Sequence, residues 1–224
     1  MTCLVIMLLA FGFGFEGMAA NIAVLPSVDG VIYDLASPDG IPDTTYLSLH
    51  ELEAGEAYTY FRDGRQGRVI LEFPLTGLSQ VNTATLVLRL TSFRVDSFAD
   101  VLAYGADGAI DLSDWARPAS VITQITPIGP PFLYSIDVTT VVISALLAGQ
   151  SHLGIRLEGG PASIGGYMGF VSTDWPKGGA ITKQDNPQLL IDGELQLPEP
   201  ATWHLMWPSL ALLFFGLAMR PRPS

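Results

Sequence analysis

The residue types that carry most catalytic chemistry are scattered in this sequence. Its three histidines, His50, His152 and His204, lie far apart along the chain, so a histidine-rich metal site is not expected. Glu51, Glu53 and Glu56 invite comparison with glycosidases, which need two carboxylates that flank the scissile bond. Alternation along a strand would place Glu51 and Glu53 on one face at a loop end, and we interpret the group as solvated surface.

Sequence motifs of phosphate transfer and acyl transfer are missing as well. The chain has neither a phosphate-binding loop nor a nucleophile elbow. We therefore predict a protein that is not an enzyme and that uses no cofactor.

Aromatic residues beside carboxylates are typical of sugar-binding sites, because pyranose rings stack on aromatic faces. Two tryptophans each follow an aspartate in a polar stretch, and two tyrosines alternate along one predicted strand. The alternative is that each tryptophan plugs an end of the fold as a buried ring. The candidate sugar-binding residues are Trp115, Asp114, Trp175, Asp174, Tyr58 and Tyr60.

Four aspartates lie between residues 29 and 43, among turn-forming glycines and prolines. Carboxylate and carbonyl oxygens are the ligands that calcium prefers, so a structural calcium ion is one interpretation. Aspartates in turns also accept hydrogen bonds from their own backbone. Because no EF-hand-type loop is present, we favour the turn interpretation. The calcium candidates are Asp29, Asp34, Asp39 and Asp43.

The charge distribution argues against nucleic acid as a partner. The net charge is −11, and nine of the 11 Lys/Arg and twenty of the 22 Asp/Glu lie between residues 21 and 197. Binding to phosphate backbones depends on clustered Lys and Arg. Such an acidic stretch suits an exported protein, and it disfavours adhesion to anionic lipid.

Short alternating segments separated by Gly, Pro and Asp predict an all-β fold. In residues 84–90, alternation places Leu86, Leu88 and Leu90 on one face. Residues 152–157 alternate in the same way. We predict a jelly-roll-like antiparallel β-sandwich over residues 21–197.

Two local signals refine this fold. Asp63-Gly64 is a favoured hairpin turn between two of the predicted strands. Residues 138–149 show apolar residues at helical spacing, with Asp137 as an N-cap and Gly149 as a C-terminal stop. We therefore expect one short helix beside the strands.

The order of these segments carries a family resemblance. Arg-Val-Ile-Leu-Glu-Phe-Pro-Leu at 68–75 precedes Ala-Thr-Leu-Val-Leu at 84–88, and Ile-Asp-Val-Thr-Thr follows at 136–140. Together with later strands they resemble DNRLRE-type, carbohydrate-binding-module-like domains, over roughly residues 29–195. The resemblance implies a jelly-roll β-sandwich, and some relatives bind polysaccharide.

Residues 1–20 are similar to a bacterial export signal. Leu4 to Phe15 is an apolar run of 12 residues, within the length of a signal-peptide core, and small residues follow. Cys3, the only cysteine, lies in this segment, so no disulfide is expected in the mature protein. The alternative is a buried N-terminal strand.

A second apolar run, of 17 residues, extends from Trp203 to Met219 without a formal charge. That length is at the short end of what spans a bilayer core. The two arginines that follow favour a cytoplasmic location for that end. A turn-prone Pro-Glu-Pro tripeptide precedes the run.

Motif, transmembrane segment and basic tail, in this order, resemble the PEP-CTERM sorting signal of Gram-negative bacteria. The resemblance implies cleavage by an exosortase, with Pro198, Glu199 and Pro200 as the sorting motif and Arg220 and Arg222 as the basic tail. The alternative is a single-span membrane anchor.

These expectations define one hypothesis. A signal peptide (1–20), a β-sandwich (21–197) and a sorting signal (198–224) would make an exported protein. It would pass through an inner-membrane intermediate to the cell surface or extracellular matrix. There it would associate with exopolysaccharide, or act as a purely structural component that binds no sugar.

Overall fold

Antiparallel strands dominate the structure, a computed structural model that describes residues 19–35, 40–47, 51–58, 64–93, 97–127, 132–159, 166–174 and 185–195. The helices of these residues are α1 (Thr139–Leu147) and a 3₁₀ helix at Leu112–Trp115. The strands are β1 (Ala19–Val24), β2 (Val28–Asp34), β3 (Thr44–Leu47), β4 (Glu51–Tyr58), β5 (Gly64–Pro74), β6 (Leu78–Phe93), β7 (Ala99–Ala106), β8 (Ser120–Ile125), β9 (Phe132–Asp137), β10 (His152–Gly159), β11 (Tyr167–Val171) and β12 (Gln188–Leu195).

The predicted export and sorting segments fall almost entirely outside the described residues. The exceptions are Ala19 and Ala20, which open β1 and pair with Glu194 and Gly193 of β12. Helix α1 has nine residues, and no helix in the described ranges is both long and apolar enough to cross a bilayer.

The strands form two layers. The first sheet has the order β3–β2–β5–β10–β7–β8. In the second sheet β12 lies between β1 and β6, while β9 and β11 also pair with β6. Strand β4 links the layers, because it pairs with β11 through Glu51–Gly55 and with β5 through Gly55–Tyr58.

The core lies between the two sheets, as alternation along the strands requires. Leu71 and Ile155 of the first sheet and Leu86, Leu88 and Leu90 of the second are fully buried in one hydrophobic cluster. This confirms the predicted inward face of residues 84–90. The described part of the chain is therefore an all-β fold with the character of a β-sandwich.

Helix α1 confirms the expected helical segment, although its start differs from the prediction. Its N-cap is Val138, which contributes no side-chain hydrogen bond. The carboxylate of Asp137 accepts hydrogen bonds from the Thr139 backbone N–H and hydroxyl, at 2.9 and 2.6 Å. The predicted stop is confirmed, since Gly149 adopts a φ of 69° and its N–H donates to the Leu146 carbonyl.

One predicted turn is wrong. Asp29-Gly30 lies inside β2, whose Gly30 pairs with Leu47 of β3 and Ile70 of β5. A Cβ at Gly30 would lie 2.6 Å from the carbonyl oxygen of Tyr46. Glycine therefore serves here to let the neighbouring backbone approach, and not to turn the chain.

Candidate functional site

The outer face of the first sheet is covered by residues 107–119, which join β7 to β8 and which we call the cover segment. Its side chains Ile110 and Trp115 form a second small hydrophobic cluster with Ile32, Ile70 and Tyr104 of the sheet. Both faces of this sheet are therefore partly buried, which explains why its strands carry apolar residues on two sides.

Local sequence shapes the cover segment around its 3₁₀ helix. The Asp111 carboxylate accepts a hydrogen bond from the Ser113 N–H at 2.7 Å. The Asp114 carboxylate accepts one from the Asp111 N–H at 2.9 Å. This reciprocal arrangement is a capping box. Hydrogen bonds from the side chain and the backbone of Ser113 hold the pKa of the exposed Asp111 carboxyl below its usual range.

Two arginines of the sheet hold the cover segment by its backbone. Arg156 of β10, which is 5% exposed, donates to the carbonyl oxygens of Asp114 and Arg117 at 2.7 and 2.9 Å. Arg68 of β5 donates to the Trp115 carbonyl oxygen. Because buried guanidinium groups need partners, both arginines have these carbonyls as acceptors and Glu158 as the opposite charge, 2.5 Å from Arg156 and 3.3 Å from Arg68. Nε of each arginine makes no hydrogen bond to the described residues.

A buried carboxylate anchors the start of the cover segment. Glu72 is fully buried and accepts hydrogen bonds from the Tyr104 hydroxyl at 2.9 Å and the Gly108 N–H at 2.7 Å. Burial raises the pKa of the Glu72 carboxyl, and the two hydrogen bonds oppose that rise. Burial also raises the pKa of Tyr104, which keeps its hydroxyl a donor.

An ion pair between Asp114 and Arg117 completes the cluster. Asp114 is 1% exposed, and its carboxylate lies 3.1 Å from the Arg117 guanidinium. Arg117 also contacts the exposed Asp107 at 3.4 Å. Desolvation raises the pKa of Asp114, although the Asp111 N–H and the Arg117 charge act in the opposite direction.

The side chains of this charged cluster bind one another and nearby backbone groups. Its arginines donate to backbone carbonyls and to Glu158, and Glu72 accepts from Tyr104 and Gly108. Perturbed pKa values can mark active sites, but structural ion-pair networks produce them as well. The hydrogen bonds identify this cluster as a structural network. Its contacts fasten the cover segment to the sheet.

The hypothesis that Trp115 and Asp114 bind sugar is wrong. Trp115 is 2% exposed, and Asp114 is 1% exposed. The Trp115 indole N–H donates to the Gly40 carbonyl oxygen at 3.0 Å, and the Arg68 guanidinium covers its ring. A ring covered in this way offers no face to a pyranose. Trp115 is a buried ring, as the alternative interpretation has it, but it packs on the outer face of the first sheet and not at an end of the fold.

The remaining sugar candidates give less information. Trp175 and Tyr60 lie outside the described residues. Tyr58 is the last residue of β4, and its side chain is not among those that the structure describes. Asp174 is exposed, and its backbone N–H donates to the Ser172 hydroxyl at 3.2 Å.

The described calcium candidates bond to the chain itself. Asp29 accepts from the Thr173 N–H and hydroxyl at 2.7 and 2.8 Å, and its burial raises its pKa. Asp34 accepts from the Gly40 N–H at 2.8 Å, and Asp43 accepts from the Leu35 N–H at 2.7 Å. Among the described residues no three His, Cys, Asp or Glu side chains converge on a possible metal position.

The fourth aspartate, Asp39, lies outside the described residues, as does the whole sorting motif with its basic tail. Glu51 and Glu53, interpreted above as solvated surface, lie inside β4 and are only partly exposed. Glu51 accepts hydrogen bonds from Thr91 and Ser92 of β6, and Glu53 accepts one from Tyr33 at 3.1 Å. Both carboxylates therefore link strands, which corrects the solvated interpretation.

An open groove of about 460 Å³ lies beside the cover segment. It is bounded by β7, by the turn from Pro118 into β8, by α1, and by Gln150 and Leu153. Sequence reasoning did not find it, because no single segment carries its lining.

For the charged cluster a signal did exist: Glu72 and Arg156 are charged residues inside otherwise apolar strands.

Comparison with known proteins adds no relative to this description: no family model matches the chain, and no curated protein matches it either.

Proposed function

We infer that this chain is an exported, non-enzymatic β-sandwich protein that an exosortase processes at the inner membrane and releases to the cell surface or extracellular matrix. The observation that carries this proposal is the succession of a Pro-Glu-Pro motif, an uncharged run of 17 residues and two arginines at 198–222. The apolar run of residues 4–15 adds an export signal.

The described domain supports delivery to an oxidising compartment. Its stability comes from a core between two sheets and from the charged cluster beneath the cover segment. The only cysteine of the chain, Cys3, lies outside it. Such a domain can fold after export without disulfide formation.

Association with exopolysaccharide is the proposed role at the surface, and a jelly-roll connectivity of the sandwich is part of the same proposal. The DNRLRE-like order of segments supports both. The acidic domain, with a net charge of −11 for the chain, favours neutral over acidic polysaccharide, because like charges repel. A purely structural surface protein is the alternative.

The sorting proposal is tested by replacing its motif. In a host that carries an exosortase, Pro198→Ala with Glu199→Ala should leave a full-length protein in the inner membrane, while the wild type yields a shorter form outside it. Glu194→Ala is the matched control, since it removes a nearby acidic residue outside the motif, and should behave as the wild type.

Two outcomes would overturn exosortase processing. If the motif variant reached the surface at the same size as the wild type, the motif would have no role. If the wild type itself remained full-length in the inner membrane, the simple anchor alternative would be correct.

A further inference from the structure

The groove beside the cover segment has the dimensions of a ligand site. Its volume of about 460 Å³ falls in the range of 300–1,000 Å³ that is usual for small-molecule sites. One wall is β7 with the turn from Pro118 into β8, and the other is the face of α1 that carries Val141, Ser144 and Ala145. A strand and a helix thus hold most of the groove.

The lining is uncharged. None of the described residues that line the groove has an ionisable side chain other than Tyr104, whose hydroxyl donates to Glu72. In a chain of net charge −11, an uncharged concave surface favours a neutral ligand over an ionic one. The neighbouring Arg117 donates to the Gly105 carbonyl oxygen at 3.2 Å and is paired with Asp107 and Asp114. The ligand class that fits is therefore neutral.

Polar groups line the groove beside apolar ones. The Gln150 amide offers both donors and an acceptor, and the Ser120 and Ser144 hydroxyls can do the same. Ser144 already donates to the Thr140 carbonyl oxygen at 2.8 Å, which leaves its oxygen free to accept. Mixed donors and acceptors match the hydroxyl groups of a sugar, which also donate and accept.

The backbone of Gln150 is anchored, and its side chain ends against the sheet. Its backbone N–H donates to the Ala145 carbonyl oxygen at 3.0 Å, in the C-terminal cap of α1. Its amide lies against Gly105 of β7, where a Cβ would come within 2.7 Å of Nε2. Gly105 thus makes the space in which the amide crosses from the helix toward the sheet.

Several apolar residues that line the groove are almost buried. Ala103, Ala145 and Leu153 line it and are at most 6% exposed. Apolar contacts beside a few polar groups complement a sugar ring, which has an apolar C–H face and polar edges.

We propose that the groove between β7, β8 and α1 binds a neutral glycan segment, with Gln150 as the main hydrogen-bonding residue. The proposal rests on the proposed association with exopolysaccharide and names its site. It replaces Trp115, whose ring is buried, as the location of sugar contact.

The test uses the full chain in a polyoxyethylene detergent, because detergents with sugar headgroups would compete. Maltose, cellobiose and lactose serve as neutral probes, and a glucuronic-acid disaccharide serves as the charged probe. Saturation-transfer NMR detects weak binding on the ligand signals. We expect transfer to at least one neutral disaccharide and none to the charged one.

Four variants locate the binding. Ala148→Trp fills the groove from the end of α1, and Leu147→Trp places the same ring one residue away, on a side chain that is 85% exposed and does not line the groove. Gln150→Ala removes the amide, and Gln124→Ala removes another one, from β8 outside the groove. Ala148→Trp and Gln150→Ala should weaken binding at least about tenfold, or about 1.4 kcal/mol, while the two controls bind as the wild type.

Three results would overturn the proposal: no transfer to any neutral disaccharide up to its solubility limit, equal binding by the groove variants and their controls, or preference for the charged probe. Each of these would leave the sorting proposal standing, because that is read from protein size and fractionation.

Discussion

The guanidinium carbon of Arg68 lies 3.9 Å from the centroid of the Trp115 ring, and the same group donates a hydrogen bond to the Trp115 carbonyl oxygen. Arg68 also lies 3.3 Å from Glu158. A cation held over an indole and shielded from water is a favourable contact. One side chain of β5 thus covers the ring and binds the backbone of the same residue in the cover segment.

Replacement of Trp115 should therefore act on stability. We expect Trp115→Ala to lower the free energy of unfolding by about 3–5 kcal/mol, the range for deletion of large buried aromatic rings. Leu112→Ala, in the same 3₁₀ helix but 43% exposed, should change it by no more than about 0.5 kcal/mol. Urea unfolding of the full chain, followed by circular dichroism, measures both. Equal effects of the two substitutions would contradict burial of the ring.

Arg156 allows charge to be separated from hydrogen-bond geometry. Arg156→Ala leaves two carbonyl oxygens without their donor and Glu158 with Arg68 as its remaining cation, and should destabilise the domain by about 3–5 kcal/mol. Arg156→Lys keeps a charge beside Glu158 but cannot reproduce the planar fork that reaches Asp114 and Arg117. Its loss should be smaller, about 1.5–3 kcal/mol. The same unfolding experiment decides this, and a lysine variant as stable as the wild type would show that the fork contributes nothing.

The core strands could be predicted because their signal is local. Alternation in residues 84–90 and 152–157 is enough to assign the inward faces, and burial of Leu86, Leu88, Leu153 and Ile155 confirms it. The helix was found by its spacing for the same reason. Its exact cap was not, because helix ends are uncertain by one or two residues. The N-cap is Val138, while the Asp137 carboxylate still accepts from the Thr139 N–H.

The partners of the cover segment are distant in sequence. Trp115 and Arg68 are 47 residues apart, and Gly40, which accepts from the indole, is 75 residues away. From residues 110–120 alone, Trp115 in a polar stretch has the composition of an exposed binding loop. Strand β8, Ser120–Ile125, was not predicted at all, and it pairs only with β7 in the described part of the chain.

Two glycines in the strands of the first sheet should respond differently to replacement by alanine. At Gly154 a Cβ would lie 2.3 Å from Cζ of Tyr104, a ring held in place by Glu72. Gly154→Ala should cost at least about 1–3 kcal/mol of stability, as overpacking of a buried site does. At Gly105 the Cβ would meet only the flexible end of Gln150.

Gly105→Ala should therefore change stability by no more than about 0.5 kcal/mol, yet displace the Gln150 amide and weaken disaccharide binding. Thermal unfolding and saturation-transfer NMR on both variants separate the two effects. A Gly105→Ala protein that binds sugar as well as the wild type would mean that the position of the Gln150 amide is irrelevant to the groove.

Glu72 predicts a pH dependence with a defined sign. Burial raises its pKa above its ordinary value of 4.5 in the folded state, so the folded protein binds the proton more tightly than the unfolded chain. The stability linked to this group is fully present below the unfolded pKa and is lost as pH rises through the folded pKa. Glu72→Gln, an isostere of the protonated form, removes this loss.

The wild type and Glu72→Gln should accordingly have similar unfolding free energies near pH 4. Toward pH 8, well above the ordinary pKa values of carboxyl groups, the variant should become progressively the more stable of the two. Asp29, whose pKa burial also raises, titrates in both proteins and cancels in the difference. The charge of Asp114 itself raises the pKa of Glu72, so it is part of the measured effect. Urea unfolding at a series of pH values gives that difference directly. The difference could instead be constant with pH or increasingly favour the wild type. Either result would show that the hydrogen bonds from Tyr104 and Gly108 outweigh the effect of burial on the Glu72 carboxylate.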